Sequence, residues 1–369
     1  MKVLLCGGGT AGHVMPAIAI AEIIEKNFPN SVIAFAGRKG GIENDAYKRT
    51  GHRLYEIEIS GIKRSLSFNN IKTFIKVIKS GRIARGVIKE YKPDLIIGTG
   101  GYVCYPFIRQ GQLLNIKTVI HESNVYPGLV TKLLSRRCKK VMLNLEGTRK
   151  YLRKTDNTIV VGNPIRSTFN TITKREARRL LGIKDRQILI VSFGGSLGSE
   201  VLNKTVCELI RQYTINNKSL VHIHSTGKAN YSDIRSEYPD LFNHNENVKI
   251  LPYIENIPTV LTAADIAITR SGAMTITELC RSRTASILIP SPNVTANHQL
   301  VNAQYMKKIG ASSLIEEKEL SCDSLKKEIS KLLSSDDKLK SMADNAYRAY
   351  PKSTEKSIIN AVNNVLNDK

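Results

Sequence analysis

Residues 1–13 read MKVLLCGGGTAGH, and residues 187–199 read QILIVSFGGSLGS. Each stretch runs from a short apolar segment into clustered glycines. Each is then followed by apolar residues at helical spacing, Ala17 to Ile24 in the first instance. An apolar run of this length stopped by glycines reads as a strand, a tight turn and the start of a helix. Between the two copies the pattern breaks at an Asn-Pro turn inside Val160-Val-Gly-Asn-Pro-Ile-Arg166, after which the chain begins again.

Outward from the first copy, strand-like runs recur at 32–36 (VIAFA), 95–97 (LII), 118–120 (TVI) and 140–143 (KVML). The second copy is followed by runs at 220–224 (LVHIH), 248–251 (VKIL), 266–268 (IAI) and 286–289 (SILI). Helix-length stretches lie between them, the alternation that builds a parallel sheet covered on both faces. The expected fold class is α/β, with two Rossmann-like doubly wound domains facing across a cleft. A chain of 369 residues has room for two such domains. They are expected over 1–163 and 164–340, with a terminal helical segment over 341–369.

Hydrophobic residues make up 41% of the chain and charged residues 24%, a composition that folds rather than stays disordered. Fifty-five basic side chains stand against 32 acidic ones, a net charge of +23. Residues 1–165 alone hold 27 basic and 11 acidic side chains, so most of the excess sits in the first half. Such a balance points to a polyanion, an acidic membrane surface or a phosphorylated substrate. The six cysteines are scattered without a Cys-x-x-Cys pair, which argues against a disulfide framework or a structural zinc site. The opening apolar run meets glycines too soon for a signal peptide, and no run approaches ~18 apolar residues, so no spanning segment is expected. A reducing cytoplasm fits these features.

Gly7, Gly9 and Gly12 form a G-x-G-x-x-G after the first strand, where bare backbone and the helix N-terminus offer N–H donors to a phosphate. A tight turn without a ligand uses glycines in the same way. Gly98-Thr-Gly-Gly-Tyr102 and Gly194-Gly-Ser-Leu-Gly198 also follow apolar strands, however, and strand C-termini are where open α/β sheets bind ligands. A ligand with a diphosphate accounts for all three turns. An NADP-dependent oxidoreductase is the rival reading, because strand two ends in Ala36-Gly-Arg38 and Arg38 could meet a 2′-phosphate. That reading leaves the second half's glycine turn unexplained.

His13 opens the first helix, where the positive end of the helix dipole favours a neutral imidazole able to accept a proton. A capping or packed histidine is the plainer alternative. His121-Glu-Ser-Asn124 follows the strand at 118–120 and is not His-Glu-x-x-His, so zinc is not indicated. His121 and Glu122 can brace that loop as a buried pair or take part in the chemistry directly, and Asn124 is the better contact candidate. Arg166 can neutralise a phosphate or form a hinge salt bridge. Arg270-Ser-Gly-Ala-Met-Thr-Ile-Thr-Glu278 starts a helix suited to a diphosphate, with Glu278 placed for a ribose diol; an ordinary N-capped helix with an early acid is the alternative. Asn297-His-Gln299 offers amides to sugar hydroxyls, or simple capping by Asn297.

Taken in order, GGGTAGHVMP, GTGGYV, HESN, GNPIR, GGSLGS, RSGAMTITE and NHQLVNA resemble the MurG family. These bacterial glycosyltransferases move N-acetylglucosamine from UDP-N-acetylglucosamine onto undecaprenyl-diphospho-N-acetylmuramoyl-pentapeptide in peptidoglycan synthesis. The resemblance implies the GT-B architecture, with a C-terminal domain for the nucleotide sugar, an N-terminal domain for the lipid-linked acceptor, and no cofactor. By matching positions it places Thr10, Ala11 and Gly12 near the transferred sugar and Asn124 on that sugar. It places Arg166 and Ser196 on the UDP phosphates and the backbone of Ile254 on uracil. The helix start Ala273, Met274, Thr275, Ile276, Thr277 and Glu278 would take phosphate and ribose, and Gln299 the sugar hydroxyls. Gly9, Gly12, Gly100, Gly101 and Tyr102 would receive the acceptor diphosphate, and His13 fills the place of the proposed general base. Two departures stand out: Ala11 where many members have Gly, and Arg283-Thr-Ala285 in place of a more usual Gly-x-Pro.

The implied reaction inverts the anomeric carbon. Many sugar transferases hold a metal with Asp-x-Asp, which this sequence lacks, so Arg166, Ser196 and the helix start at Ala273 are expected to stabilise the leaving diphosphate without a metal. A lipid-linked acceptor also implies a peripheral position on the cytoplasmic face of the cell membrane. Ile71, Phe74, Ile75 and Ile78 share one helical face with Lys72, Lys76 and Lys79 alongside, the pattern of an interfacial helix on anionic lipid. Packing of that apolar face on the core is the alternative. Nucleic-acid binding is not expected, since no aromatic platform or known module is present.

Overall fold

A computed structural model describes the chain except residues 42, 60–68, 166–168, 170–171, 196–197, 243–245, 295–296 and 369; of residues 11 and 69–78 it describes the backbone alone. The chain divides into two units, Met1–Pro164 with Pro351–Lys369, and Ile165–Tyr350.

The first unit is built on β1 (Lys2–Gly7), β2 (Val32–Arg38), β3 (Arg53–Ile57), β4 (Leu95–Gly100), β5 (Lys117–Glu122), β6 (Lys140–Leu143) and β7 (Thr158–Val160). They form one sheet in the order β3-β2-β1-β4-β5-β6-β7, and every pair is parallel. β1 is buried from Val3 onward because both of its faces are covered. Leu4 and Cys6 lie in a core with Ala84, Ile88 and Phe107, supplied by α3 (Asn69–Tyr91) and α4 (Cys104–Leu113). Val3 and Leu5 face the other way, into a core with Ala17, Ile20, Ala21 and Ile24 of α1 (Ala11–Asn27). That helix begins ahead of the expected Ala17 and runs through Pro16. The proline removes only the bond to the Gly12 carbonyl, and the buried face beyond it holds the helix in place.

The second unit repeats the plan with β8 (Ile188–Phe193), β9 (Leu220–Ser225), β10 (Val248–Leu251), β11 (Ile266–Thr269), β12 (Ala285–Leu288) and β13 (Ser313–Leu314), in the parallel order β10-β9-β8-β11-β12-β13. Its helices are α6 (Lys174–Leu181), α7 (Glu200–Leu209), α8 (Tyr231–Glu237), α9 (Ile257–Ala263), α10 (Ala273–Ser282), α11 (His298–Lys308), α12 (Cys322–Leu333) and α13 (Asp336–Ala349) among the described residues, and the first unit adds α2 (Glu43–Lys48) and α5 (Leu129–Leu134) to those already named.

The segment from 341 onward is not one terminal body. α13 belongs to the second unit, while α14 (Thr354–Asn367) packs Ile358, Ala361, Val362 and Val365 into the α1 side of the first unit's core. Each buried Ile or Val there contributes about 2 kcal/mol, enough to explain why the chain returns. Three short strands escaped the sequence reading. β3 alternates buried and exposed residues at the sheet edge, and β7 and β13 hold only three and two residues.

The expected membrane face of Ile71, Lys72, Phe74, Ile75 and Lys76, with Ile78, lies outside the described side chains, although α3 covers those positions. Lys79 is exposed and 3.6 Å from Glu58, and the later half of α3 buries Ala84, Ile88 and Tyr91 on the sheet. All six cysteines are free thiols, five of them buried. No helix among the described residues is long and apolar enough to cross a membrane.

Candidate functional site

In the first unit the strand order departs from β1 in both directions, so the loops after β1 and β4 border the switch point where open α/β sheets take ligands. The two glycine turns touch. Gly8 N donates to Gly100 O at 3.3 Å. Gly101 has φ +82, and a Cβ on it would stand 2.2 Å from Gly8 O, so only glycine permits this approach. Thr10 precedes α1 without a side-chain cap, and no acid occupies the first turn, so the helix start keeps its affinity for an anion. Gly9 and Gly12 lie on this turn, while Tyr102, just past the β4 turn, is exposed. The side chain of Ala11 lies outside the described atoms.

His13 is half-buried on the first turn of α1. Its Nδ1 lies 3.0 Å from Gly8 O and 3.2 Å from Thr10 Oγ1. A carbonyl oxygen only accepts, so Nδ1 carries the proton, and the neutral ring keeps its basic lone pair on Nε2. Thr99 Oγ1 donates to His13 O at 2.7 Å and ties the helix start to β4.

Beneath the turn lie two residues that sequence reasoning passed over. Glu43, at the start of α2 (Glu43–Lys48), is fully buried; its Oε2 accepts from Gly9 N at 3.2 Å and its Oε1 from Arg38 N at 2.8 Å. Tyr47 Oη donates to Gly7 O at 2.7 Å, and burial holds its hydroxyl well above the usual phenol range. A glutamate in the polar run GGIEND reads as solvated; the glycine pair Gly40-Gly41 just before it was the available signal.

β5 runs two residues further than expected, so His121 and Glu122 end the strand and Ser123-Asn124 begin the loop after it, which the buried pair braces. His121 is fully buried, Nε2 donates to Gly162 O at 3.2 Å, and desolvation lowers its pKa to about 4. Glu122 accepts from Asn124 N at 3.1 Å, from Gly128 N at 2.9 Å and from Thr131 Oγ1 at 2.7 Å. The Asn124 carbonyl accepts from Thr148 Oγ1 at 3.1 Å, and its half-buried side chain sits on the loop that Glu122 fixes. Asn163 N donates to Asn144 Oδ1 at 2.8 Å, anchoring the Gly-Asn-Pro turn. Arg166 itself lies outside the described residues.

In the second unit the loops after β8 and β11 take the equivalent places, and Ser196 lies outside the described residues. Gly198 has φ +79, and its Cβ would stand 2.1 Å from Thr226 O. α10 starts from Gly272 with no side-chain cap and no acid in its first turn, which removes the reading of Arg270 to Glu278 as an ordinary capped helix. Ala273, Met274 and Thr275 form that half-exposed start, Ile276 and Thr277 turn inward, and Glu278 is half-buried a turn later. Arg270, which opens that stretch but to which the sequence assigns no role of its own, is buried. Its guanidinium donates to Ser199 Oγ, to Glu317 and, at 3.3 Å, to Ile289 O. Gln299 Oε1 accepts from Ser291 N at 2.9 Å. Asn297 precedes α11 with φ +51 and makes no capping bond, because capping needs extended backbone at that position. Ile254 has a buried side chain, as suits a residue offering only its backbone. Arg283 takes the left-handed position that ends α10, φ +54, and pairs with Asp344 on α13. Among the described residues, no group of three or more His, Cys, Asp or Glu is placed to hold a metal ion.

Two parallel α/β units, each with glycine turns and an uncapped helix start at its switch point, are the parts of a GT-B glycosyltransferase. Residues 3–143 match the glycosyltransferase family 28 N-terminal domain, and residues 189–362 match the glycosyltransferase family 28 C-terminal domain. A UDP-N-acetylglucosamine--N-acetylmuramyl-(pentapeptide) pyrophosphoryl-undecaprenol N-acetylglucosamine transferase of Thermoanaerobacter sp. (strain X514) is 43% identical over 349 residues, 94% of this chain and 95% of the relative. The enzyme of the same name from Acetivibrio thermocellus is 40% identical over 94% of this chain and 93% of its own. The crystal structure of Acinetobacter baumannii MurG has a TM-score of 0.79 at 25% identity, covering 98% of this chain and 99% of that one. The chain belongs to the MurG family of family 28 glycosyltransferases. These likenesses give no support to the oxidoreductase built on Gly7, Gly9, Gly12 and Arg38.

Proposed function

We propose that this chain transfers N-acetylglucosamine from UDP-N-acetylglucosamine to an undecaprenyl-diphosphate-linked N-acetylmuramoyl-pentapeptide, with inversion at the anomeric carbon, in peptidoglycan synthesis. The observation that carries the reading is the 43% identity over 94% of the chain to a transferase of that name.

In this reading the second unit holds the donor. The start of α10 at Ala273 to Thr275, with Arg166 and Ser196, takes the diphosphate. Glu278 takes the ribose, the Ile254 backbone the uracil and Gln299 the sugar hydroxyls; Asn124, a residue of the first unit, is also assigned to the sugar. The first unit receives the acceptor: Gly9, Gly12, Gly100, Gly101 and Tyr102 lie at its diphosphate, and Thr10, Ala11 and Gly12 near the sugar in transfer. His13 Nε2 accepts the proton of the attacking hydroxyl, while backbone N–H groups and Arg166 stabilise the charge that grows on departing UDP. No metal is needed, because fixed positive groups supply that stabilisation.

The lipid anchor brings the enzyme to the cytoplasmic face of the membrane as a peripheral protein, where the 27 basic and 11 acidic side chains of residues 1–165 favour anionic lipid. The test is transfer of labelled sugar from UDP-N-acetylglucosamine to the lipid-linked acceptor in excess chelator. Label in the lipid product is expected. No transfer at any metal concentration overturns the reading, and transfer restored only by magnesium overturns its metal-free form.

A further inference from the structure

The peptide between Gly8 and Gly9 is engaged at both ends. Its carbonyl accepts from His13 Nδ1 at 3.0 Å, and its N–H donates to the buried Glu43 carboxylate at 3.2 Å. The bond is trans, so these partners stand on opposite sides of one planar group. The second Glu43 oxygen is held by Arg38 N at 2.8 Å, which fixes the carboxylate. A Cβ on Gly8 would fall 2.4 Å from Glu43 Oε1, so glycine at this position is what lets the carboxylate close on the turn.

We propose that Glu43 is a positioning residue for His13, acting through the Gly8–Gly9 peptide to fix the tautomer of the imidazole and strengthen the acceptor that holds it. This rests on the reading of His13 as the base. Hydrogen bonds in series polarise one another. A negative charge at the N–H end makes the carbonyl a better acceptor, which keeps the proton on Nδ1 and makes Nε2 more basic. The arrangement does for His13 what a directly bonded carboxylate does for a catalytic histidine, with a peptide group inserted between them.

Among the described residues, few other titratable groups face this corner. Tyr47 on α2 donates to Gly7 O, and burial raises it well above the usual phenol range. The Cys6 thiol of β1 is likewise pushed up by burial, and the Cys104 thiol of α4 donates to Cys6 O at 2.8 Å. From β3, Glu56 is engaged by Asn44, and from β2 the Arg38 side chain is exposed.

The test labels the ring nitrogens of the seven histidines and assigns His13 with a His13→Gln variant. In the unaltered protein, neutral His13 is expected in the Nδ1–H form. In Glu43→Gln its titration midpoint should fall by on the order of half a pH unit, and the Nε2–H form should appear. An Nε2–H ring in the unaltered protein, which needs no variant, overturns the proposal; so does a folded Glu43→Gln with midpoint and tautomer unchanged. In transfer assays, Glu43→Gln should move the acid limb of kcat to lower pH and reduce its plateau, leave KM for the sugar nucleotide unchanged, and be partly rescued by Glu43→Asp. If the ring titration moves and the kcat limb does not, the hold of Glu43 on His13 stands and the reading of His13 as base fails.

Discussion

The first unit backs its glycine turn with a buried carboxylate, Glu43, held by two backbone N–H groups and by no ion pair among the described residues. The second backs its own with a buried guanidinium, Arg270, shared between Ser199, Glu317 and the Ile289 carbonyl. The topology is the same and the buried charge is opposite. Each charge is engaged by loop backbone or by a neighbouring side chain, and so shapes its loop. In the proposed reading the carboxylate suits a turn whose neighbour accepts a proton, and the arginine, neutralised by Glu317, suits a turn that must hold its form around an anion.

Removing the proposed proton acceptor is the largest way to break this contrast. His13→Ala should lower kcat by roughly 10²–10⁴-fold while leaving sugar-nucleotide affinity within a few-fold. Steady-state transfer and calorimetric titration measure the two quantities, and near-normal kcat would erase the chemical difference between the turns. Next comes the second unit's buried pair, whose side chains are 10% and 19% exposed. Arg270→Leu strands the Glu317 carboxylate and should cost about 3 kcal/mol in denaturant unfolding, with much of the loss recovered when Glu317→Leu is added. A cost under about 1 kcal/mol would mean that the pair does not brace the turn.

How much of this was legible follows from the residues themselves. The turns at Gly7 to Gly12 and Gly194 to Gly198 announced both sheets, because a central parallel strand is an unbroken apolar run and glycine is the residue that stops it. Glu43 and Arg270 were not legible. A charged residue in a loop is normally solvated, and what buries these two is the return of distant backbone, Gly9 for one and Ile289 for the other. The departure of α14 from α13 was equally hidden: both read as terminal helices with apolar residues at helical spacing, and only the Ile358, Ala361, Val362 and Val365 face, seated beside α1, separates them.

Acidification separates the units more gently. His222 and His224 of the second unit are buried, with pKa values lowered to about 3 and about 4, chiefly by desolvation; His121 of the first is lowered to about 4 by the same cause. Each is neutral when folded and titrates near 6.5 when unfolded, so its contribution is complete above about pH 6.5 and lost as pH falls toward the folded value. Between pH 7 and pH 5 each costs up to about 2 kcal/mol, so the second unit should lose more than the first. Hydrogen exchange of β9 and β5 amides at the two pH values tests this; equal losses would show that burial differs less than the structure indicates.

The smallest effect tests what the turns share. Gly9 has φ +83 and Gly195 φ +93, and a Cβ on either meets nothing within 4 Å. At Gly101 and Gly198 a carbonyl blocks the added atom, but here only left-handed backbone opposes a side chain. Gly9→Ala and Gly195→Ala should therefore each cost about 1 kcal/mol, and by the same amount, although one turn lies over a carboxylate and the other near an arginine. Thermal unfolding of the two variants measures it. A much larger cost at Gly9 would mean that the Glu43 bond to its N–H bends with the substitution, so that the buried charge and the turn conformation are one structural device rather than two.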